Sequence, residues 1–203
     1  MMRRDDCFKA LAALRGDAIV VPAYTAAFEW LRASPSPLNY FSIGAMGQAS
    51  SHALGLALGL PHHKIVVLDG DGSLLMNMGA LVTIANIAPR NLVHFVNDNG
   101  SYEANGNHPT PGKDRVSFAG FARAAGYPHV FEYDDLAAWQ KELPRVLSLQ
   151  GPVFGVLKLV PGEPLEMDYD FIHGPAVRQK FKDALKPILA KGRTSRPEPA
   201  VTQ

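Results

Sequence analysis

The sequence predicts a three-layer α/β/α fold with a mainly parallel sheet. Two observations carry that expectation. Short apolar runs rich in Val, Ile and Leu alternate with stretches of helical periodicity, the pattern of a parallel sheet covered on both faces. The two best-defined runs also end in polar turns, Gly70-Asp71-Gly72-Ser73 and Asn97-Asp98-Asn99-Gly100. Sheets of this kind bind ligands at the carboxyl ends of their strands.

Residues 5–16 read as a helix, apolar at Phe8, Leu11, Ala12 and Leu14 and stopped by Gly16. Ala18–Val21 is a brief strand ended by Pro22, and Thr25–Ala33 is helical. After the Ser34–Pro37 turn, Asn39–Ile43 reads as a short strand that enters Gly44-Ala45-Met46-Gly47 and the Ala/Leu-rich helix Gln48–Leu60. Strand Lys64–Leu68 leads to the Gly-Asp-Gly turn, helix Leu74–Ala88 follows, and Pro89 closes it. Strand Leu92–Val96 leads to a polar loop over 97–115, long enough to suggest function. Helix 117–125 ends at Gly126, and Val130–Tyr133 is a strand. Leu136–Leu149 is a helix capped by Asp134 or Asp135, with Pro144 as a candidate kink, and Val153–Leu159 is a buried strand. A helix over Pro175–Leu189 completes one domain over 1–190, and 191–203 read as a disordered tail.

Composition narrows the function. The 203 residues suit one domain with a full core, and the net charge of +1 gives no electrostatic footprint for nucleic acid or an anionic membrane. No apolar run reaches the roughly 18–20 residues of a membrane span. The Met1–Asp6 segment has no apolar stretch after its arginines, so it does not read as a secretory signal. A single cysteine, Cys7, leaves no intramolecular disulfide, and a cytoplasmic location is the expectation. Cys7 reads as a small structural residue, with a thiol of lowered pKa near a helix start as the alternative.

The turn chemistry favours a metal-bound diphosphate. Mg²⁺ takes oxygen ligands, usually one or two protein groups plus phosphates and water. Asp71 offers a carboxylate, Asn99 a side-chain carbonyl and Ser101 a backbone carbonyl. Gly70 and Gly72 permit close backbone approach, and the amides of Gly72 and Ser73 can face phosphate oxygens. A Gly-Asp-Gly turn alone is ordinary turn chemistry.

Together, these segments resemble the thiamine-diphosphate (ThDP) enzymes, whose signature is Gly-Asp-Gly, a spacer and an Asn-rich end. The spacer here has the family's usual length, with Asp98 in place of the first Asn of the end motif. The resemblance implies a ThDP-binding fold of the diphosphate-binding (PP) type, with Mg²⁺ held by Asp71, Asn99 and the Ser101 carbonyl. Gly44-Ala45-Met46-Gly47 is similar to the segment whose backbone contacts the aminopyrimidine and whose apolar side chain keeps the cofactor bent. Gly44 and Met46 are the positions that carry over, with Ala45 between them.

The loop Ser101–Thr110 and the segment Met76–Leu81 resemble sulfopyruvate and phosphonopyruvate decarboxylases. Tyr102, Glu103, Gly106, Pro109 and Thr110 match, whereas Asn107 and His108 stand where the pattern has Gly and Gln. Through that resemblance Tyr102 and Glu103 are cofactor-binding candidates. His108 is either a proton donor or carboxylate binder, or a surface histidine. Lys113 and Arg115 lie near the loop, with solvation as their default. The other histidines show no metal-ligand spacing. His62-His63 reads as a solvated turn, and His52 as a helix-surface residue.

ThDP catalysis in this family also uses a Glu against the pyrimidine ring, supplied by a pyrimidine-binding (PYR) domain. The resemblance covers only the PP domain, over roughly residues 15–160, and Glu29 lies in the wrong context to serve. The resemblance therefore implies a β subunit completed by a separate PYR (α) subunit. The expected complex is a hetero-oligomer with at least two copies of each chain, decarboxylating a small 2-keto acid to an aldehyde. Three alternatives remain: the β subunit of a 2-oxoacid:ferredoxin oxidoreductase, an acetolactate-synthase-like carboligase half, or a non-catalytic regulatory module of the same fold.

Overall fold

A computed structural model describes residues 1–44, 46–162 and 166–194, the side chains of 191–194 excepted. In chain order the elements are α1 (Arg4–Leu14), β1 (Ile19–Pro22), α2 (Tyr24–Ala33), α3 (Ala49–Gly59), β2 (Ile65–Gly70), α4 (Asp71–Leu75), α5 (Gly79–Ile87) and β3 (Leu92–Asp98). The small strands β4 (Ser101–Tyr102) and β5 (His108–Pro109) follow, with a 3₁₀ turn at Glu103–Asn105 between them. Then come α6 (Phe118–Ala125), β6 (His129–Tyr133), α7 (Leu136–Ser148), β7 (Val153–Lys158), α8 (Tyr169–His173) and α9 (Pro175–Thr194).

Five strands form one sheet in the order β1-β2-β3-β7-β6, and every pairing in it is parallel. Strand periodicity divides the buried side chains between two faces. Ile19, Val21, Ile65, Val67, Phe154 and Val156 pack with α3, α5 and α6. Val20, Val66, Leu68, Val93, Phe95 and Val153 pack with α1, α2 and α7, around the buried Trp30 and Trp139. Each fully buried large apolar side chain contributes about 1.5–3 kcal/mol, so both layers are held by their own core. The indole of Trp30 donates to Asn39 Oδ1 (3.0 Å) and that of Trp139 to the Cys7 carbonyl (3.3 Å).

Four sequence expectations are corrected. The segment Asn39–Ile43 is no strand: it touches β1 and the residue after it through single bridges, Val20 to Asn39 and Ala23 to Ser42. Its Asn39 side chain is bound instead by Trp30, Arg15 and the Ser34 carbonyl. The helix expected over Leu74–Ala88 starts earlier, at Asp71, and breaks between Leu75 and Gly79. The polar loop after β3 carries the β4–β5 hairpin, with Tyr102 opposite His108. His63 is buried, its Nε2 2.6 Å from the Asp17 carbonyl oxygen, because the turn folds back against the start of β1.

Smaller differences follow from local chemistry. Asp135 caps α7 by accepting from the Ala138 amide (2.8 Å), and α7 continues through Pro144. Helix α9 continues past Leu189 to Thr194, into the residues expected to be tail; positions 195–203 lie outside the described residues. Cys7 is fully buried, and that burial pushes its thiol up to about 12, so the structural reading of this residue holds. Among the described residues no helix is long and apolar enough to cross a membrane.

Candidate active site

The carboxyl ends of β1, β2 and β3 converge on one small cleft of about 50 Å³. Strand β2 delivers Asp69 and Gly70, and α4 begins at Asp71 in the next peptide. Asp71 is buried, at 2% exposure. Its Oδ1 accepts from the Gly72 amide (2.8 Å), and its Oδ2 accepts from the Gly100 amide (2.8 Å) and the Thr110 hydroxyl (3.4 Å). Burial pushes the Asp71 carboxyl up to about 6 and the Asp98 charge adds to this, while the Gly72, Gly100 and Thr110 donors oppose it. The Gly72 amide, expected to face a phosphate, is turned to the side chain of Asp71 in this structure.

Strand β3 delivers Asn97, and Asn99 follows its last residue. Asn97 Nδ2 donates to the Asp69 carbonyl (2.7 Å), and its buried Oδ1 has no hydrogen-bond partner. Asn99 Oδ1 accepts from the Ser101 amide (2.9 Å). Gly100 turns the chain at φ +67°, and the Gly100-to-Asp71 bond fixes the Asn99–Gly100 peptide against the carboxylate. The two polar turns legible in the sequence are therefore one site, joined at Asp71.

The hairpin closes over them. Thr110 returns to Gly100, its amide donating to the Gly100 carbonyl (3.1 Å). The Tyr102 ring lies so close to Gly72 that a Cβ there would stand 2.3 Å from it, so the close approach requires glycine. Glu103 accepts from Arg4 Nη1 (2.7 Å) and from the Gly162 amide (2.6 Å). Arg4 also holds Glu29 through two bonds, of 2.6 and 2.7 Å. Burial works against the Arg4 charge, and the Glu29 and Glu103 carboxylates together overcome it, holding the guanidinium above its ordinary value.

Of the candidates named from the sequence, Met46, Gly70, Asp71, Gly72, Ser73, Asn99, Ser101, Tyr102 and Glu103 line the cleft. Gly44, at φ +87°, is exposed and does not line it. Ala45 lies outside the described residues. His108 is exposed on β5 and does not line the cleft either. Lys113 and Arg115 are exposed and border a separate cavity of about 350 Å³ beyond the Asn99–Gly100 turn. His52 is exposed, with Nδ1 3.1 Å from Ser42 Oγ.

Sequence reasoning missed Arg4, Asn97 and Tyr24 as lining residues, and Thr110 as a partner of Asp71. Tyr24 adopts φ 44°, a left-handed conformation that a bulky residue rarely takes. A Tyr directly after the Pro22-Ala23 strand end carries no such signal in sequence. Thr110 stood in a recognised motif, but only the hairpin brings it to Asp71.

The donor set suits a hard divalent cation with phosphate. It is oxygen-only, with one carboxylate, one side-chain amide and a backbone carbonyl. Among the described residues no three His, Cys, Asp or Glu side chains cluster as metal ligands, so a cation here would take its remaining charge compensation from its ligand.

The fold and the site define a ThDP-binding domain, and residues 21–155 match the model of the thiamine pyrophosphate enzyme C-terminal TPP-binding domain; the chain belongs to that family. Curated relatives narrow the likeness. The β subunit of sulfopyruvate decarboxylase from Methanothermobacter thermautotrophicus is 39% identical over 127 residues, 63% of this chain and 65% of the relative. Phosphonopyruvate decarboxylase from Streptomyces hygroscopicus is 34% identical over 145 residues, 71% of this chain and 36% of the relative. The matches thus span under two thirds of these relatives' own lengths. Among solved structures, 4-hydroxybenzoylformate decarboxylase from Rhodococcus jostii superposes with TM-score 0.65 at 21% identity, over 80% of this chain and 33% of that one. A chain of 2-oxoglutarate:ferredoxin oxidoreductase from Magnetococcus marinus gives 0.62 at 12% identity, over 96% and 89%. At these identities the solved structures show the fold alone.

Proposed function

We propose that this chain is the PP-domain (β) subunit of a heteromeric ThDP- and Mg²⁺-dependent 2-keto acid decarboxylase of the sulfopyruvate/phosphonopyruvate type. In this reading the domain extends over residues 1–190 and works in the cytoplasm. The reaction is non-oxidative and releases an aldehyde. The observation that carries the proposal is the oxygen-lined cleft in which the buried Asp71 is tied through the Gly100 amide to the Asn99 turn.

Asp71, Asn99 and the Ser101 carbonyl would hold Mg²⁺, and Ser73 with the Gly70–Gly72 backbone would receive the diphosphate. Met46, which also lines the cleft, would support the cofactor's bent shape. When bound, ThDP supplies the electron sink for the loss of CO₂. The chain's own contribution is anchoring, orientation and exclusion of water by the Tyr102 hairpin.

Carboxylate bookkeeping supports a separate PYR subunit. Among the described residues, Asp71 and Glu103 are the carboxylates that line the cleft. Asp71 belongs to the metal set in this reading, and Glu103, like Glu29, is committed to Arg4. In this reading the free Glu for the pyrimidine end is supplied by a separate PYR subunit, in a complex with at least two copies of each chain.

The oxidoreductase reading has one observation in its favour, the near-complete mutual coverage with the Magnetococcus chain. Against it, this sequence has a single cysteine, which is buried, so it offers no ligand set for an Fe–S cluster.

Calorimetric titration with ThDP, with and without Mg²⁺, tests the proposal on the chain alone and mixed with the product of the neighbouring reading frame. Mg²⁺-dependent binding that tightens with the neighbour and disappears in Asp71→Ala is the expected outcome. Unchanged affinity in Asp71→Ala would overturn the metal assignment. Absence of binding in both samples would make the non-catalytic module the better reading.

A further inference from the structure

We infer that Asn77 is a positioning residue for the cofactor: with Ser73 it clamps Gly47, and so sets the separation between the diphosphate end and the pyrimidine end of the cleft. The inference rests on the ThDP reading above. Its starting point is the helix break that the sequence did not foretell. Through that break the backbone bonds shorten to i→i−3: Met76 to Ser73 (3.2 Å), Asn77 to Leu74 (2.9 Å), Ala80 to Asn77 (3.1 Å) and Leu81 to Met78 (3.1 Å). Tight turns of this kind inside a helical run often mark functional positions.

The side chains show what the break achieves. Both backbone polar groups of Gly47 are taken by it. The Gly47 amide donates to Ser73 Oγ (3.1 Å), and Asn77 Nδ2 donates to the Gly47 carbonyl (3.0 Å). A second, longer contact of 3.5 Å links Asn77 Nδ2 to Ser51 Oγ at the start of α3. Gly47 is buried and sits at φ +84°, and a Cβ there would lie 3.1 Å from Met76 Cβ and 3.3 Å from both Asn77 Cβ and the Ser73 carbonyl oxygen. The Gly47 backbone therefore packs directly against Ser73, Met76 and Asn77, with no side chain of its own to cushion the contact.

Position gives this contact its meaning. Ser73 is part of the turn that would receive the diphosphate, and Met46, the residue before Gly47, lines the same cleft. A ligand that fills only the diphosphate end meets residues on α4 and the β3 turn. A ligand that reaches across to Met46 also needs Gly47 held at its present distance. Loss of the Asn77 donor should therefore separate two affinities that a general loss of structure would lower together.

The test uses the full chain and two variants, Asn77→Ala and Asn77→Asp, titrated with inorganic pyrophosphate and with ThDP, each in the presence of Mg²⁺. Asn77→Asp keeps the size of the side chain while replacing its donor with an acceptor, so it covers the case in which the alanine variant does not fold. The expected result is pyrophosphate affinity within about twofold of wild type and ThDP affinity lower by about tenfold, the range of one lost hydrogen bond plus its preorganisation. Amide hydrogen exchange at Gly47 should accelerate in both variants without ligand. Equal weakening of both ligands, or no change in either, would overturn the positioning role while leaving the ThDP reading intact. A wild-type chain that binds neither ligand, alone or mixed with the neighbouring gene product, would overturn that reading and this inference with it.

Discussion

Asp71 concentrates the electrostatics of the site in one side chain. Its folded-state value of about 6 stands above the ordinary 3.8, so the folded chain binds this proton more tightly than the unfolded chain does. The stability this contributes is fully present below about pH 4 and is lost as pH rises through about 6, on the order of 3 kcal/mol. Chemical denaturation of the metal-free chain at pH 4, 5 and 7 should show that loss in wild type and not in Asp71→Asn. Parallel pH profiles for the two proteins would contradict it. Gly72 gives a second test at this scale. Its added Cβ would meet the Tyr102 ring, so Gly72→Ala should destabilise by about 1–3 kcal/mol. Most of that loss should disappear in a Tyr102→Ala background, as a double-mutant cycle measured by urea midpoints would show.

At the scale of elements, the first helix secures the hairpin over the cleft. Arg4 stands at the start of α1, Glu29 on α2 and Glu103 just after β4, and the guanidinium joins all three. The N-terminus is aligned for this by Met2, which bridges to Leu159 in parallel, its amide donating to the Lys158 carbonyl (2.9 Å). Arg4→Met would leave two largely buried carboxylates without their cation. The expected cost is about 3–5 kcal/mol, accompanied by faster amide exchange over residues 101–110. A variant with wild-type stability and an equally protected hairpin would show that the ion pairs do not hold it. Glu103, a cofactor-binding candidate from its motif, lines the cleft while its carboxylate is engaged by Arg4 and the Gly162 amide, which makes it a tie between the hairpin and the rest of the domain.

The whole molecule is a sheet sandwiched between two helical layers, with the cleft at one end of β1, β2 and β3. In the proposed function Asp71 serves the metal, and Glu103 is ion-paired with Arg4. The chain alone, supplied with ThDP, Mg²⁺ and a short 2-keto acid, should therefore show almost no CO₂ release. Activity should appear on mixing with a PYR-type partner. Full turnover by the isolated chain would refute the split-site argument.

The sequence by itself determined the five strands of the sheet and their alternation with the longer helices, the two polar turns and their place at strand ends. These depend on local periodicity and on turn residues, which act within a few positions along the chain. Its errors fall where distant groups compete with local preference. The Asn39 side chain is drawn to Trp30 and Arg15, and the helix after the Gly-Asp-Gly turn breaks where Asn77 reaches Gly47. Only the tertiary structure decided that Thr110 touches Asp71, that Arg4 takes Glu103 and that His63 is buried. Burial and long-range hydrogen bonding are set by how the layers and the hairpin close on one another, and no local stretch of sequence carries that information.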